Sequence, residues 1–346
     1  MIPRTNQETP PRVRLSPPIR LRLKSAPFFG AMLSLREHLP AFPPDAPNLP
    51  LTLLTFHPGY LAGSYEDRDY FERLSPLLFQ WARGRCRLRI FTINHPGYDL
   101  PRGAVIDPFR LGPYSIRHQP LAIEAALSWL LRQRLARERE VAWIAYGHSM
   151  GGLALSQFQA APLNDLMARQ NRRLHFARIL SAPALFVHPE TRAFVGQLDV
   201  LHTLKLTVGR FPLYAPIATG LYQAFAPLFY RRDAARFSID AWAEFGDFSR
   251  LDPFVLLKQG RELLRFKAIA AGGADLLAGT HVILPRGDGM IDLPALTALI
   301  HEAQQQGHAV TAHEVDSTHL LELDDAATAA NVVRHVIRTS WERHPI

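Results

Sequence analysis

Gly147-His148-Ser149-Met150-Gly151 has the Gly-x-Ser-x-Gly spacing that can turn a serine into a nucleophile. A serine alcohol reacts poorly unless its oxygen projects from a strained turn toward a base, and glycines two residues either side remove the Cβ atoms that would block so tight a reversal. The context fits: Val141-Ala142-Trp143-Ile144-Ala145-Tyr146 reads as a buried strand and Gly152-Leu153-Ala154-Leu155 as the helix that follows. Gly147, His148 and Gly151 would form an elbow around Ser149, and the backbone N–H of Met150, at the helix N-terminus, would be one donor to an oxyanion.

Such a serine needs a base and an acid to orient it. In an open parallel sheet reactive groups gather at the carboxyl ends of the strands, which is a positional test for each of the fifteen histidines. His319 passes it, lying just past the last strand in Val315-Asp316-Ser317-Thr318-His319-Leu320; His313 falls inside that strand and is expected to face a helix. The acid should end the preceding strand, where Leu284-Pro285-Arg286-Gly287-Asp288-Gly289-Met290-Ile291-Asp292 offers two candidates. Asp288, between glycines, suits the turn; Asp292 suits the N-cap of a helix beginning near Leu293. The second oxyanion donor should come from Phe56-His57-Pro58-Gly59-Tyr60, in which Pro58 has no N–H, so that Tyr60 or, behind it, Gly59 must donate. His57 is expected to pin that loop by hydrogen bonding.

The elements that would carry these residues alternate. Residues 51–56 read as a strand, 70–81 as a helix, 88–93 as a strand, 121–135 as a helix, then strands over 141–146 and 176–180 flank the helix after Ser149. The order resumes with a strand at 282–284, a helix over 293–303, a strand at 309–315 and a last helix from Asp324 or Asp325. That alternation predicts an α/β fold with a mostly parallel sheet covered on both faces. Ahead of it, residues 19–24 and 31–36 alternate apolar and polar about Gly30 and predict a hairpin. Residues 1–18, rich in proline and arginine with Glu8 as their one acid, read as an unpacked tail, and the core as residues 19–187 and 268–346. Between the two parts of the core, residues 188–267 break the pattern with proline-punctuated aromatic runs and read as a helical cap. Phe211, Tyr214, Phe225 and Phe229 are its candidates for lining an acyl pocket, although core packing explains such aromatics equally well.

Composition narrows the function class. The 346 residues are 47% hydrophobic and 20% charged, ordinary for a soluble chain. The formal net charge is +8, but the arginines are scattered singly, which argues against nucleic-acid binding and leaves a mild attraction to anionic membrane surfaces. No apolar run has the length of a membrane span. Cys86 is the only cysteine, so no internal disulfide forms and a reducing cytoplasm is the default compartment. Neither a His-x-x-x-His helix nor paired cysteines suggest a metal, and nothing calls for a cofactor.

Together, the His57-Pro58-Gly59-Tyr60 loop, Gly147-His148-Ser149-Met150-Gly151-Gly152, Leu180-Ser181-Ala182-Pro183, Gly287-Asp288 and Ser317-Thr318-His319 resemble the α/β-hydrolase superfamily over residues 50–340. The chain looks most like its monoacylglycerol lipase, lysophospholipase and serine aminopeptidase-like group. It departs from the usual pattern where Pro58 replaces a glycine and where Asn94-His95-Pro96-Gly97-Tyr98-Asp99 replaces a Gly-x-Gly turn. The resemblance implies Ser149 as nucleophile, Asp288 as acid, His319 as base and residues 188–267 as the cap. The implied activity is hydrolysis of carboxylic esters through an acyl-enzyme, on a small-molecule or lipid substrate with a medium or long acyl chain. The same triad also serves thioesterases, lactonases and peptidases, because fold and triad leave the substrate open. A non-catalytic binding protein on this fold would need a damaged triad, and none of its residue types is missing here.

Overall fold

Strand β6 (Glu140–His148) is buried over eight of its nine residues, as expected of an apolar run at the centre of a sheet with both faces covered. The computed structural model describes residues 13–42, 48–60, 62–63, 69–100, 106, 110–189, 191 and 253–342. Phe211, Tyr214, Phe225, Phe229 and most of the expected cap lie outside the described residues, as do residues 1–12.

Besides β6, the described strands are β1 (Arg14–Leu15), β2 (Ile19–Arg22), β3 (Met32–Leu39), β4 (Leu51–His57), β5 (Arg87–Ile93), β7 (Arg173–Ser181), β8 (Thr280–Pro285) and β9 (Val310–Val315). They form one sheet in the order β1-β3-β5-β4-β6-β7-β8-β9, with β2 also paired to β3. From β5 to β9 every pairing is parallel, and β1, β2 and β3 add an antiparallel edge. The register brings the strand ends level: His57 pairs with Gly147, His148 with Ser181, Ser181 with Ile283, and Pro285 with Val315. The loops named above therefore leave the sheet along one edge.

Alternate strand residues feed two cores. Leu53, Phe91, Trp143 and Ala145 pack beneath α2 (Gln119–Gln133), α3 (Met150–Ser156), α4 (Ala161–Ala168), α5 (Pro253–Arg265) and α6 (Leu293–Gln305). Leu54, Phe56, Ile144 and Tyr146 face α1 (Leu74–Ala82), α7 (Leu321–Asp324) and α8 (Ala326–Glu342). In α8 the buried Ala329, Val332, Val333, Val336 and Ile337 recur at helical spacing, one stripe laid on the sheet. Side-chain oxygens of Asp325 accept the backbone N–H and hydroxyl of Thr328, which starts that helix.

Several boundaries shift from the sequence reading, and two of the shifts have a plain physical reason. Helix α1 begins at Leu74 rather than Tyr70. A helix running from Tyr70 would place Pro76 in its interior, against the carbonyl of Glu72; starting at Leu74 leaves Pro76 in the first turn, where its missing N–H costs nothing. Within the stretch expected as an unpacked tail, residues 1–18, Arg14 and Leu15 instead pair with Leu39 and His38. Ser16 extends the contact, donating its N–H to Glu37 O at 2.8 Å and accepting the Glu37 N–H at 3.0 Å on Oγ. The expected hairpin is present, with Ile19 opposite Leu35 and Arg22 opposite Met32.

Candidate active site

Ser149 sits between β6 and α3 with φ 51° and ψ −113°, a backbone conformation an L-residue adopts only under constraint. The constraint is visible on both sides: its N–H donates to Ser181 O at 2.9 Å, and its carbonyl accepts from Leu153 N and Ala184 N, each at 3.0 Å. The flanking glycines are obligatory. A Cβ on Gly151 would stand 2.0 Å from His57 O, and one on Gly147 would stand 2.6 Å from Gly151 O. Met150 is the first residue of α3, so its N–H has no partner within the helix.

The loop after β4 closes over this elbow. A Cβ on Gly59 would meet His148 Nδ1 at 2.9 Å and Ser149 Cβ at 3.0 Å, so the backbone passes directly over the serine, as an oxyanion loop must. Its support differs from expectation. His57 turns back into its own strand, its Nε2 2.9 Å from Thr55 Oγ1, and leaves its buried Nδ1 without a partner. His95 holds the loop instead, donating from Nε2 to the Pro58 carbonyl at 2.6 Å. Burial lowers both histidines, to about 3 for His57, with His95 adding to the effect, and to about 4 for His95, so both rings are neutral near neutrality. The unusual Asn94–Asp99 turn thus has a structural part to play. Asp99 accepts a buried bidentate contact from Arg36 of β3 at 3.1–3.2 Å, which ties the antiparallel edge to the same loops.

His319 and Asp288 meet, with Nδ1 2.7 Å from Oδ2. The other Asp288 oxygen accepts Met290 N at 2.7 Å and Ile291 N at 3.1 Å, which aims Oδ2 at the ring. Facing a carboxylate, Nδ1 is the donor, and Nε2 is left bare as the atom able to take a proton. Asp292 lies elsewhere in its bonding: Oδ1 accepts Ala295 N at 3.1 Å and caps α6. The two loops are laced together by Gly287 N–H on Ser317 O at 2.8 Å. His319 then touches the residue before Ser149, since His148 Nε2 is 2.8 Å from its carbonyl and the two rings are 4.8 Å apart. His313 points into another cluster, stacked on His281 and edge-on to His335 of α8. Among the described residues no group of three or more His, Cys, Asp or Glu side chains is arranged to hold a metal ion.

One part of the site escaped the sequence reading. Tyr70, Tyr146, His148 and Glu322 form a buried polar group directly under the His319 loop. The signals were faint: Tyr146 and His148 alternate onto one face of β6, and Glu322 is a lone acid within Leu320-Leu321-Glu322-Leu323.

No protein-family model matches this chain. No curated protein matches its sequence either. Solved structures do match along nearly its whole length. A hydrolase from Pseudomonas aeruginosa PA01 aligns with a TM-score of 0.52 at 15% identity over 92% of this chain and 98% of its own. A thermophilic esterase from Thermogutta terrifontis gives 0.53 at 13% identity over 94% and 99%. A soluble variant of monoglyceride lipase from Saccharomyces cerevisiae gives 0.51 at 13% identity over 98% and 97%. A parallel sheet flanked by helices, with a strained serine elbow at its carboxyl edge and these neighbours, makes the architecture of this chain the α/β-hydrolase fold.

Proposed function

We propose that the chain is a serine hydrolase acting on carboxylic esters through an acyl-enzyme. The observation that carries the reading is the His319–Asp288 pair at 2.7 Å, with His319 packed against His148, the residue next to the strained Ser149 elbow. Ser149 Oγ attacks the ester carbonyl as His319 Nε2 takes its proton. The carbonyl oxygen becomes an oxyanion, bound by the N–H of Met150 and that of Gly59 or Tyr60. His319 then protonates the departing alcohol, the carbon–oxygen bond to it breaks, and the acyl group remains on Ser149. Water, deprotonated by His319, attacks that acyl-enzyme; the acid leaves and the proton returns to Ser149. Asp288 holds the tautomer and balances the imidazolium at each proton transfer.

The proposed substrates carry medium or long acyl chains, on the strength of the aromatic run at residues 211–230. Each methylene buried against such side chains favours binding by about 0.8 kcal/mol, so chain length can dominate specificity. A fluorophosphonate probe and a panel of p-nitrophenyl esters test both halves. Ser149 should take the label, longer acyl esters should exceed acetate in kcat/KM, and Ser149→Ala should lose label and lower turnover on the order of 10³-fold or more. Turnover by Ser149→Ala near that of the parent would overturn the assignment.

A further inference from the structure

The ester chemistry above makes no use of Glu322, yet this carboxylate lies fully buried three residues past His319. Its Oε1 accepts the Tyr146 hydroxyl at 2.5 Å and its Oε2 the Tyr70 hydroxyl at 2.9 Å; Oε2 also stands 3.8 Å from His148 Nε2. Burying a carboxylate beside neutral donors is costly, and a leucine like its neighbours Leu321 and Leu323 would fill this core without that cost. Tyr70 is itself anchored, since Asp69 Oδ1 accepts Phe71 N at 2.7 Å and Asp69 Oδ2 lies 3.3 Å from His38 Nε2.

His148 is the group on which this charge acts. Its Nε2 lies 2.8 Å from the His319 carbonyl, which only accepts, so their hydrogen bond forms only in the tautomer that carries the proton on Nε2. Its Nδ1 is buried without a partner against Gly59, so a proton placed there would be stranded. The ring is stacked on Tyr70 with centroids 4.8 Å apart and 22° between planes. We infer that Glu322 is a positioning residue for the base. Held by Tyr70 and Tyr146, it fixes the His148 imidazole as the Nε2–H tautomer, and His148 holds the His319 backbone beside Ser149. The inference rests on the serine-hydrolase reading for its catalytic meaning, but the tautomer itself does not depend on turnover.

The titratable groups around the two imidazoles are Asp288 from the β8 loop, Glu322 and Asp324 from α7, Tyr70 ahead of α1, and Tyr146 in β6. Burial, reinforced by Glu322, raises both phenols well above the usual tyrosine range, so they remain donors. Burial lowers His148, while the charges of Glu322 and Asp288 oppose that change.

Glu322→Gln keeps the shape and removes the charge. We expect kcat to fall about 10- to 100-fold, the scale of loss when a catalytic group is misplaced by about 1 Å, with KM little changed. Glu322→Asp, which restores the carboxylate, should recover most of that loss. Nitrogen NMR of the histidine rings should show His148 protonated at Nε2 in the parent and a mixture of tautomers in Glu322→Gln. A kcat equal to that of the parent per fluorophosphonate-titrated site, or a single unchanged His148 tautomer, overturns the inference. Should Glu322→Gln fail to fold, Tyr70→Phe and Tyr146→Phe each remove one hydroxyl donor and are read by the same two signals. Failure of Ser149 to react with the probe would count against the hydrolase reading alone, since the NMR result needs no reaction.

Discussion

The side chains proposed to carry the chemistry are few, and their separate duties can be told apart by substitution. Asp288→Asn should cost far more activity than Asp292→Asn, since only Asp288 bonds to His319, whereas Asp292 caps a helix. The first change should lower kcat by about 10⁴-fold, as expected when the base is held in the wrong tautomer. The second should leave both kcat and stability in urea nearly unchanged, since an asparagine oxygen caps the helix as well as an aspartate one. Comparable losses of kcat in both would place the acid elsewhere. The sequence made these residues legible because each obeys a local rule: glycines where no Cβ fits, an acid in a Gly-Asp-Gly turn, a histidine just past a strand. Glu322 and His95 obey no such rule. Their roles come from contacts with residues far along the chain, Tyr70 and Tyr146 for one and the Pro58 carbonyl for the other, and neither pairing leaves a spacing to read.

Among the elements, strands and helices followed from their periodicity, and errors gathered at ends. Residues 70–73 have helical composition, and it is Pro76, three residues inside the next turn, that denies them a helix. The pairing of Arg14 and Leu15 with β3 is two residues long, too short for any pattern to form. At the elbow, by contrast, the element boundary is set by packing that allows no compromise. Gly151→Ala would push a methyl group to within 2.0 Å of the His57 carbonyl, and that atom is backbone at the end of a central strand. Relief requires α3 to draw back from β4, at a cost of about 1–3 kcal/mol or more. Denaturant unfolding should show that loss, and probe labelling of Ser149 should fall with it. An alanine variant as stable and as reactive as the parent would mean that the elbow is looser than its contacts indicate.

At the scale of the whole molecule, buried neutral histidines make stability depend on pH. His95 is lowered to about 4 and His57 to about 3 by burial, whereas both take up protons near the ordinary 6.5 once unfolded. The unfolded chain therefore binds more protons than the folded one below pH 6.5, and stability present above that pH is lost as pH falls toward 4. Each such group contributes a loss of about 1.4 kcal/mol per pH unit across that window. Thermal midpoints should drop steeply between pH 6.5 and 4, and His95→Gln should make the slope shallower. A flat profile would show that these rings find a way to charge while folded.

The placement of β9 has a further consequence. Among the described residues it ends the sheet, paired to β8 alone, and four of its six residues are at least partly exposed. The His319 loop hangs from this border strand, while Ser149 is rooted in β6 at the centre. Border elements open by local unfolding at lower free energy than central ones. Amide hydrogens of β9 should thus exchange faster than those of β4 and β6, and in rising urea ester turnover should vanish before the fluorescence of Trp143, buried in β6, reports global unfolding. The base would then be the first member of the catalytic group to be lost and the last to be regained, so that the durability of activity is set at the rim of the sheet and not in its core.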